Sequence, residues 1–256
     1  SPLSYWAGEN GVNPMRLAGG LSGGTWSVRL LADLGAGRFD GAWLVQNFEN
    51  LNPGNVLFDK YYQLFANIDT ERERFLEFER WWSGFYFLSR EEITAIVENL
   101  FIGNRLEEGQ MRICEHCFAD LRRIANPILV FASSGDNITP PHQALGWIPA
   151  VYADTEALKA AGQRIVYLIN PHVGHLGIFV SSEIARREHR AILERVGDLE
   201  SLQPGLYEMR IVASTGKSDC REDQYEVCFE PRRVEDLRHP YPVSAFSRVR
   251  ELSEQM

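Results

Sequence analysis

Two residues in this sequence combine the types, the order and the setting that acid–base chemistry requires. Asp136 lies in Ser134-Gly-Asp-Asn-Ile-Thr-Pro-Pro141, directly after the apolar run Pro127–Ser133. His175 lies in Pro171-His-Val-Gly-His-Leu-Gly177, directly after the second apolar run Gln163–Asn170 and 39 positions beyond Asp136. An imidazole that titrates near neutrality serves as a general base. A carboxylate on its far ring nitrogen fixes the tautomer and stabilises the imidazolium that forms. The competing reading makes Asp136 a turn former ahead of Pro140-Pro141 and His175 a residue at a helix start.

Such a pair needs a nucleophile, and the sequence offers more than one. Gly20-Leu-Ser-Gly-Gly24 matches the Gly-x-Ser-x-Gly pattern in which a strained strand-to-helix turn projects a hydroxyl toward the base. The helix from Trp26 suits that role, but Met15-Arg-Leu-Ala18 makes a poor preceding strand, so Ser22 competes with a plain Gly-rich loop. Ser1, acting through its own amine, is a second candidate, in a setting that lacks the usual architecture. Cys114-Glu-His-Cys117 has Cys-x-x-Cys spacing. Zinc would want a second ligand pair, which Cys220 and Cys228 do not supply, and a redox site would want a helix start after a strand. These cysteines therefore read as buried or half-buried thiols near a helix start, and no metal or cofactor is expected. His116, His142, His172, His189 and His239 show no partner pattern and read as surface or turn residues. Glu107-Glu108, Arg186-Arg187 and Arg232-Arg233 read as solvated faces.

The elements that would position Asp136 and His175 follow from periodicity and punctuation. Strands are expected at 127–133 and 163–170, with helices over 141–154, 155–161 and 176–195. Strands alternating with helices imply a parallel sheet covered on both faces, with functional groups on loops at the strands' carboxyl ends. Upstream, residues 1–24 read as loop, Trp26–Leu34 as a helix ending at Gly35, and Gly41–Phe48 as a buried strand. The Asn52-Pro-Gly-Asn55 turn leads into a helix over 56–68. A helix over 71–88 ends in the aromatics Trp81, Trp82, Phe85, Tyr86 and Phe87, which fit either a core or an apolar lid over an acyl chain. Ser89 and Glu92 have capping-box spacing, starting a helix that runs to about Phe101. After Pro204-Gly205, the segments 206–213 and 224–230 read as an antiparallel hairpin appended to the main domain. Phe246–Met256 reads as an amphipathic helix.

Composition narrows the function classes. The 256 residues are 45% hydrophobic and 24% charged, with 26 basic against 35 acidic side chains, a formal charge of −9 and a pI near 5.2. The acidic balance argues against nucleic acid or an anionic membrane as partner. No apolar run is long enough for a transmembrane helix. Four cysteines without a scaffold pattern point to a reducing cytoplasm. The opening Ser1-Pro-Leu-Ser-Tyr-Trp-Ala-Gly8 has neither an initiator Met nor the features of a signal peptide, so the chain is expected to be a piece of something longer.

Four segments carry a family resemblance: Phe78-Glu-Arg-Trp-Trp82, Val97-Glu-Asn-Leu-Phe-Ile-Gly-Asn104, Ser134–Pro141 and Val173-Gly-His-Leu-Gly-Ile-Phe-Val180. Together they resemble a poly(3-hydroxyalkanoate) synthase-like group of α/β-hydrolase proteins, largely filed as a domain of unknown function. The likeness runs from residue 1 to about 212 and more loosely beyond. The segments around Asp136 and His175 are also similar, more distantly, to the acid and base loops of polyhydroxyalkanoate synthases, in which an elbow cysteine attacks an acyl-CoA thioester. The resemblance implies that the nucleophile elbow lies upstream of Ser1.

The expectation is thus the C-terminal part of an α/β-hydrolase fold over 1–205, with a helical cap insertion over about 52–110 and a β-rich appendage over 206–256. The parent would be a hydrolase or acyltransferase acting on an acyl ester or thioester, with Asp136 orienting and His175 acting as base. The isolated chain would be inactive and, with exposed sheet edges, prone to association. Two alternatives stay open: a non-enzymatic binding or granule-associated scaffold of the same fold, and a complete small serine esterase using Ser22.

Overall fold

A computed structural model describes residues 24–50, 52–136, 139–175, 177–181, 184–213 and 225–237, with positions 248, 251, 252 and 255. Ser1, Ser22 and Cys220, the 1–23 loop and most of the expected terminal helix lie outside the described residues. The described residues fall into two compact units, one within 22–98 and the other within 99–256.

The first unit is built on a short antiparallel pair, β1 (Arg38–Asp40) with β2 (Phe87–Ser89), in which Phe39 stands opposite Leu88. Between the two lie α2 (Ala42–Glu49), a π-helical turn (Asn55–Asp59) running into α3 (Lys60–Ala66), and α4 (Ile68–Trp82). Helix α1 (Trp26–Leu34) precedes β1 and ends at Gly35, as its sequence indicates. Helix α5 (Arg90–Ile96) opens on a complete capping box, the Ser89 hydroxyl accepting from the Glu92 amide and the Glu92 carboxylate from the Ser89 amide.

Two expectations fail in this unit. Where a buried strand is expected over 41–48, residues 42–49 form a helix: the Asp40 carboxylate accepts the Ala42 amide at 2.9 Å, and Trp43 and Leu44 are exposed. A short apolar run has no period that separates the two forms. The 71–88 helix stops at Trp82, where the Ser83 hydroxyl bonds back to the Glu79 carbonyl, and the aromatic tail instead enters β2. Because β1 and β2 belong to one unit, that unit takes in residues well before 52.

The second unit is a mixed α/β structure. Its four-stranded sheet runs β3 (Ile128–Ser133), β4 (Arg164–Asn170), β5 (Gly205–Ala213), β6 (Tyr225–Arg232), the first three parallel and the last antiparallel. Strand β4 reads as a continuous apolar run because both faces are covered. Ile165 and Tyr167 join a core with Leu145, Trp147, Ile148 and Leu158, while Val166 and Leu168 join another with Ala191, Leu199 and Met209. The first core is capped by α6 (Pro141–Leu145), α7 (Trp147–Val151) and α8 (Thr155–Ala160), and the second by α10 (Arg190–Ser201). The expected 141–154 helix is broken at Gly146. The expected 176–195 helix is broken too, into α9 (Gly177–Val180) and a π-helical turn at Ala185–His189 leading into α10.

The hairpin after residue 205 is no appendage. Strand β5 pairs in parallel with β4, Ile165 opposite Leu206, and the Gly205 amide donates to the Gln163 carbonyl. Leu206 fills one core and Met209 the other, so β5 is an interior strand of the sheet. Among the described residues, no helix is long and apolar enough to cross a membrane.

Candidate active site

The register of β3 and β4 brings the two loops together. Parallel pairing sets Ser133 opposite Asn170, the last residue of each strand, so both loops leave the same end of the sheet from adjacent strands. Asp136 is three residues past the end of one strand and His175 five past the other. Their side chains meet, Nδ1 of His175 lying 2.8 Å from Oδ2 of Asp136.

The carboxylate is held on both sides. Its Oδ1 accepts the Thr139 amide at 2.8 Å, and the Asp136 amide donates to the Ser133 carbonyl, so the acid loop folds around its own side chain. The Thr139 hydroxyl also lies 3.4 Å from His175 Nδ1. The Asp136 side chain is 1% exposed and that of His175 27%. A buried carboxylate on Nδ1 places the proton of the neutral imidazole there and leaves the lone pair on Nε2, the tautomer a general base needs.

Residues that the sequence reading did not single out clamp the two loops together. The buried Ser133 hydroxyl lies 2.6 Å from the Val173 carbonyl and 3.1 Å from the Asn170 carbonyl, and it accepts the Gly135 amide at 3.2 Å. The Ser134 amide adds a bond to the Asn170 carbonyl. Asn170 shapes the base loop, its Oδ1 accepting the amides of His172 and Val173, both at 2.9 Å. Its amide nitrogen donates to Glu188, a carboxylate only 4% exposed. Gly135 is a steric necessity: a Cβ there would stand 2.2 Å from the His172 carbonyl oxygen. The only sequence sign of this clamp was a polar residue ending each apolar run, with Asn170 before Pro171 as an Asx-turn former.

The remaining expected residues are placed as follows. His172 is exposed in the base loop, and His189 meets Phe131 edge-on at 6.3 Å. Glu107 is not a solvated face: it is buried and accepts from Asn104 at 2.9 Å. Arg232 is likewise engaged, pairing with Glu208 and Glu230 across β5 and β6. Arg187 donates to the Ile211 carbonyl at 3.3 Å. Cys114 and Cys117, expected as buried or half-buried thiols near a helix start, form an exposed disulfide in a turn. Among the described residues, no group of three or more His, Cys, Asp or Glu side chains is arranged to hold a metal ion.

No solved structure matches the chain. It is similar to an "Uncharacterized protein in ackA 5'region" of Rhizobium meliloti, with 47% identity over 242 residues. Those residues make up 93% of this chain and 33% of the relative, so the chain spans about a third of that protein's length. A family model described as "Protein of unknown function (DUF3141)" matches residues 1–254, and the chain belongs to that family.

Proposed function

We propose that Asp136 and His175 are the orienting acid and the general base of an acyl-transfer site of the α/β-hydrolase kind, acting on an acyl ester or thioester. The observation that carries this reading is the 2.8 Å contact between His175 Nδ1 and a buried Asp136 carboxylate at the carboxyl end of parallel strands. Supporting it is the acid-before-base order along the chain, which is that of α/β-hydrolases. The resemblance of the two loops to those of polyhydroxyalkanoate synthases favours a thioester as the acyl donor.

In this reading, His175 takes the proton of an attacking hydroxyl or thiol through Nε2 and returns it to the leaving group. Asp136 stabilises the imidazolium in between. The nucleophile is an elbow serine or cysteine in a longer protein, or Ser22 within this chain.

The test uses the chain and the full-length Rhizobium relative side by side. Each is treated with a hydroxyl-directed phosphonate and a thiol-directed chloroacetamide probe, with labelled residues mapped by mass spectrometry, and the relative is assayed on acyl-CoA and nitrophenyl esters. We expect turnover by the relative that falls about 10⁴-fold or more when its residues aligned with His175 and Asp136 are replaced by Ala and Asn. Labelling of Ser22 that is lost in His175→Ala would make the chain a complete serine enzyme. Turnover or labelling indifferent to both substitutions, or none by the folded relative, would sink the reading and favour a non-enzymatic binding protein.

A further inference from the structure

We infer that Cys114 and Cys117 form a reversible dithiol–disulfide couple that exchanges with small thiols of the glutathione class while the sheet domain stays folded. The inference is independent of the acyl-transfer site.

Three observations carry it. First, the disulfide is accessible: Cys114 and Cys117 are both exposed. A shallow, open surface depression lined by Arg105, Gly109, Gln110, Arg112 and Phe118 adjoins the same turn. Accessible disulfides are the ones that thiols attack, whereas resistant structural bridges are buried.

Second, the turn does not depend on the bond. Arg112 and Phe118 pair as an antiparallel bridge, the Ile113 amide donates to the Cys117 carbonyl at 2.8 Å, and the Ala119 amide to the Met111 carbonyl at 2.8 Å. These bonds hold the chain ends whether the sulfurs are joined or not. A bridge between residues only three apart also closes a very small loop, so it removes little freedom from the unfolded chain.

Third, positive charge sits over the turn. The Arg112 guanidinium donates to the Cys114 carbonyl at 3.0 Å and to the Glu115 carbonyl at 2.8 Å. Breaking the S–S bond by exchange releases a cysteine thiolate, a leaving group favoured by a cation bound to the backbone of the same turn.

The exchange is balanced as follows. A thiolate attacks one sulfur, forming a mixed disulfide and releasing the other cysteine as a thiolate that takes a proton from water. A second thiolate then attacks the sulfur of the bound thiol, so the first cysteine leaves and is protonated in turn. Two thiols become one disulfide, and the two cysteines gain two electrons and two protons.

The chain is equilibrated in reduced and oxidised glutathione at graded ratios, quenched with acid, alkylated and mapped by mass spectrometry. Circular dichroism and thermal melts are recorded on the same samples. We expect the peptide holding Cys114 and Cys117 to move from unalkylated to doubly alkylated as the ratio rises. The circular dichroism spectrum should be unchanged, with Tm falling by at most about 8 °C. The double variant Cys114→Ser, Cys117→Ser should keep the same spectrum. A peptide that stays doubly alkylated in oxidising buffer, or unalkylated in the most reducing one, would overturn the inference. So would loss of the spectrum on reduction.

Discussion

At the scale of single residues, the candidate site is a histidine–carboxylate pair and a set of hydrogen bonds that fix the distance between the loops carrying it. That Asp136 and His175 would meet was legible because each directly follows an apolar run that reads as one of two parallel strands. Ser133 was not, because a serine ending an apolar run has many bland explanations, and only the neighbouring strand reveals what its hydroxyl meets. That hydroxyl joins the acid loop to the base loop, with the carbonyls of Val173 and Asn170 on one side and the Gly135 amide on the other. Replacing it takes the side-chain partner from the part-buried Val173 carbonyl and from the Gly135 amide, while the Asn170 carbonyl keeps the Ser134 amide. Ser133→Ala should destabilise the chain by about 1–3 kcal/mol. For a chain of this size that is a fall in Tm of roughly 2–4 °C per kcal/mol. An unchanged melt would mean the two loops are held apart from this residue.

At the scale of elements, the apolar runs at 128–133 and 164–170 were plain because they are buried on both faces and bounded by turn residues. Short segments were not. Residues 42–49 form a helix because the Asp40 carboxylate caps its first turn, a contact no periodicity displays. The break at Gly146 does have a local cause, since Pro149 has no amide to donate to the Leu145 carbonyl four residues back. One junction between elements is set by a titratable group. The Thr155 hydroxyl, at the start of α8, donates to Glu235 at 2.6 Å and accepts the Val234 amide at 2.9 Å. The bond from Thr155, with the Glu235 backbone amide and Arg233 beside it, draws the Glu235 carboxyl down to about 2 from 4.5. A carboxyl lowered in the folded state stabilises the fold above its unfolded value, and that contribution is lost as the pH falls through the folded value. Thr155→Val should therefore lower stability most at neutral pH, with the gap from the parent chain narrowing between pH 4.5 and 2. The residue of the gap at low pH belongs to the Val234 amide, which loses its acceptor at every pH. Urea unfolding at pH 7, 5 and 3.5 reads this directly, and a gap that widens as pH falls would refute it.

At the scale of the whole molecule, the parallel β/α alternation was visible in sequence, but the place of the last two strands was not. A polar segment after residue 213 made 206–230 look like a separate module, since pairing between β4 and β5 leaves no mark in either strand. The sheet nevertheless runs through β5, with Leu206 in one core and Met209 in the other. An appendage and an interior strand respond differently to the same injury. Leu206 is 1% exposed and stands opposite Ile165, so Leu206→Ala removes a side chain from the core that also holds Trp147, Ile148 and Leu158. The expected cost is about 2–5 kcal/mol. Because β4 pairs with β5 along one of its edges and shares both cores with it, the loss should reach the backbone amides of Ile165–Leu168 as well as those of β5 and β6. Hydrogen exchange should then show protection falling together across all three strands, through one cooperative opening. If β4 kept its full protection while β5 and β6 alone opened, the hairpin would be a dispensable module. The loops carrying Asp136 and His175 would then rest on β3 and β4 alone.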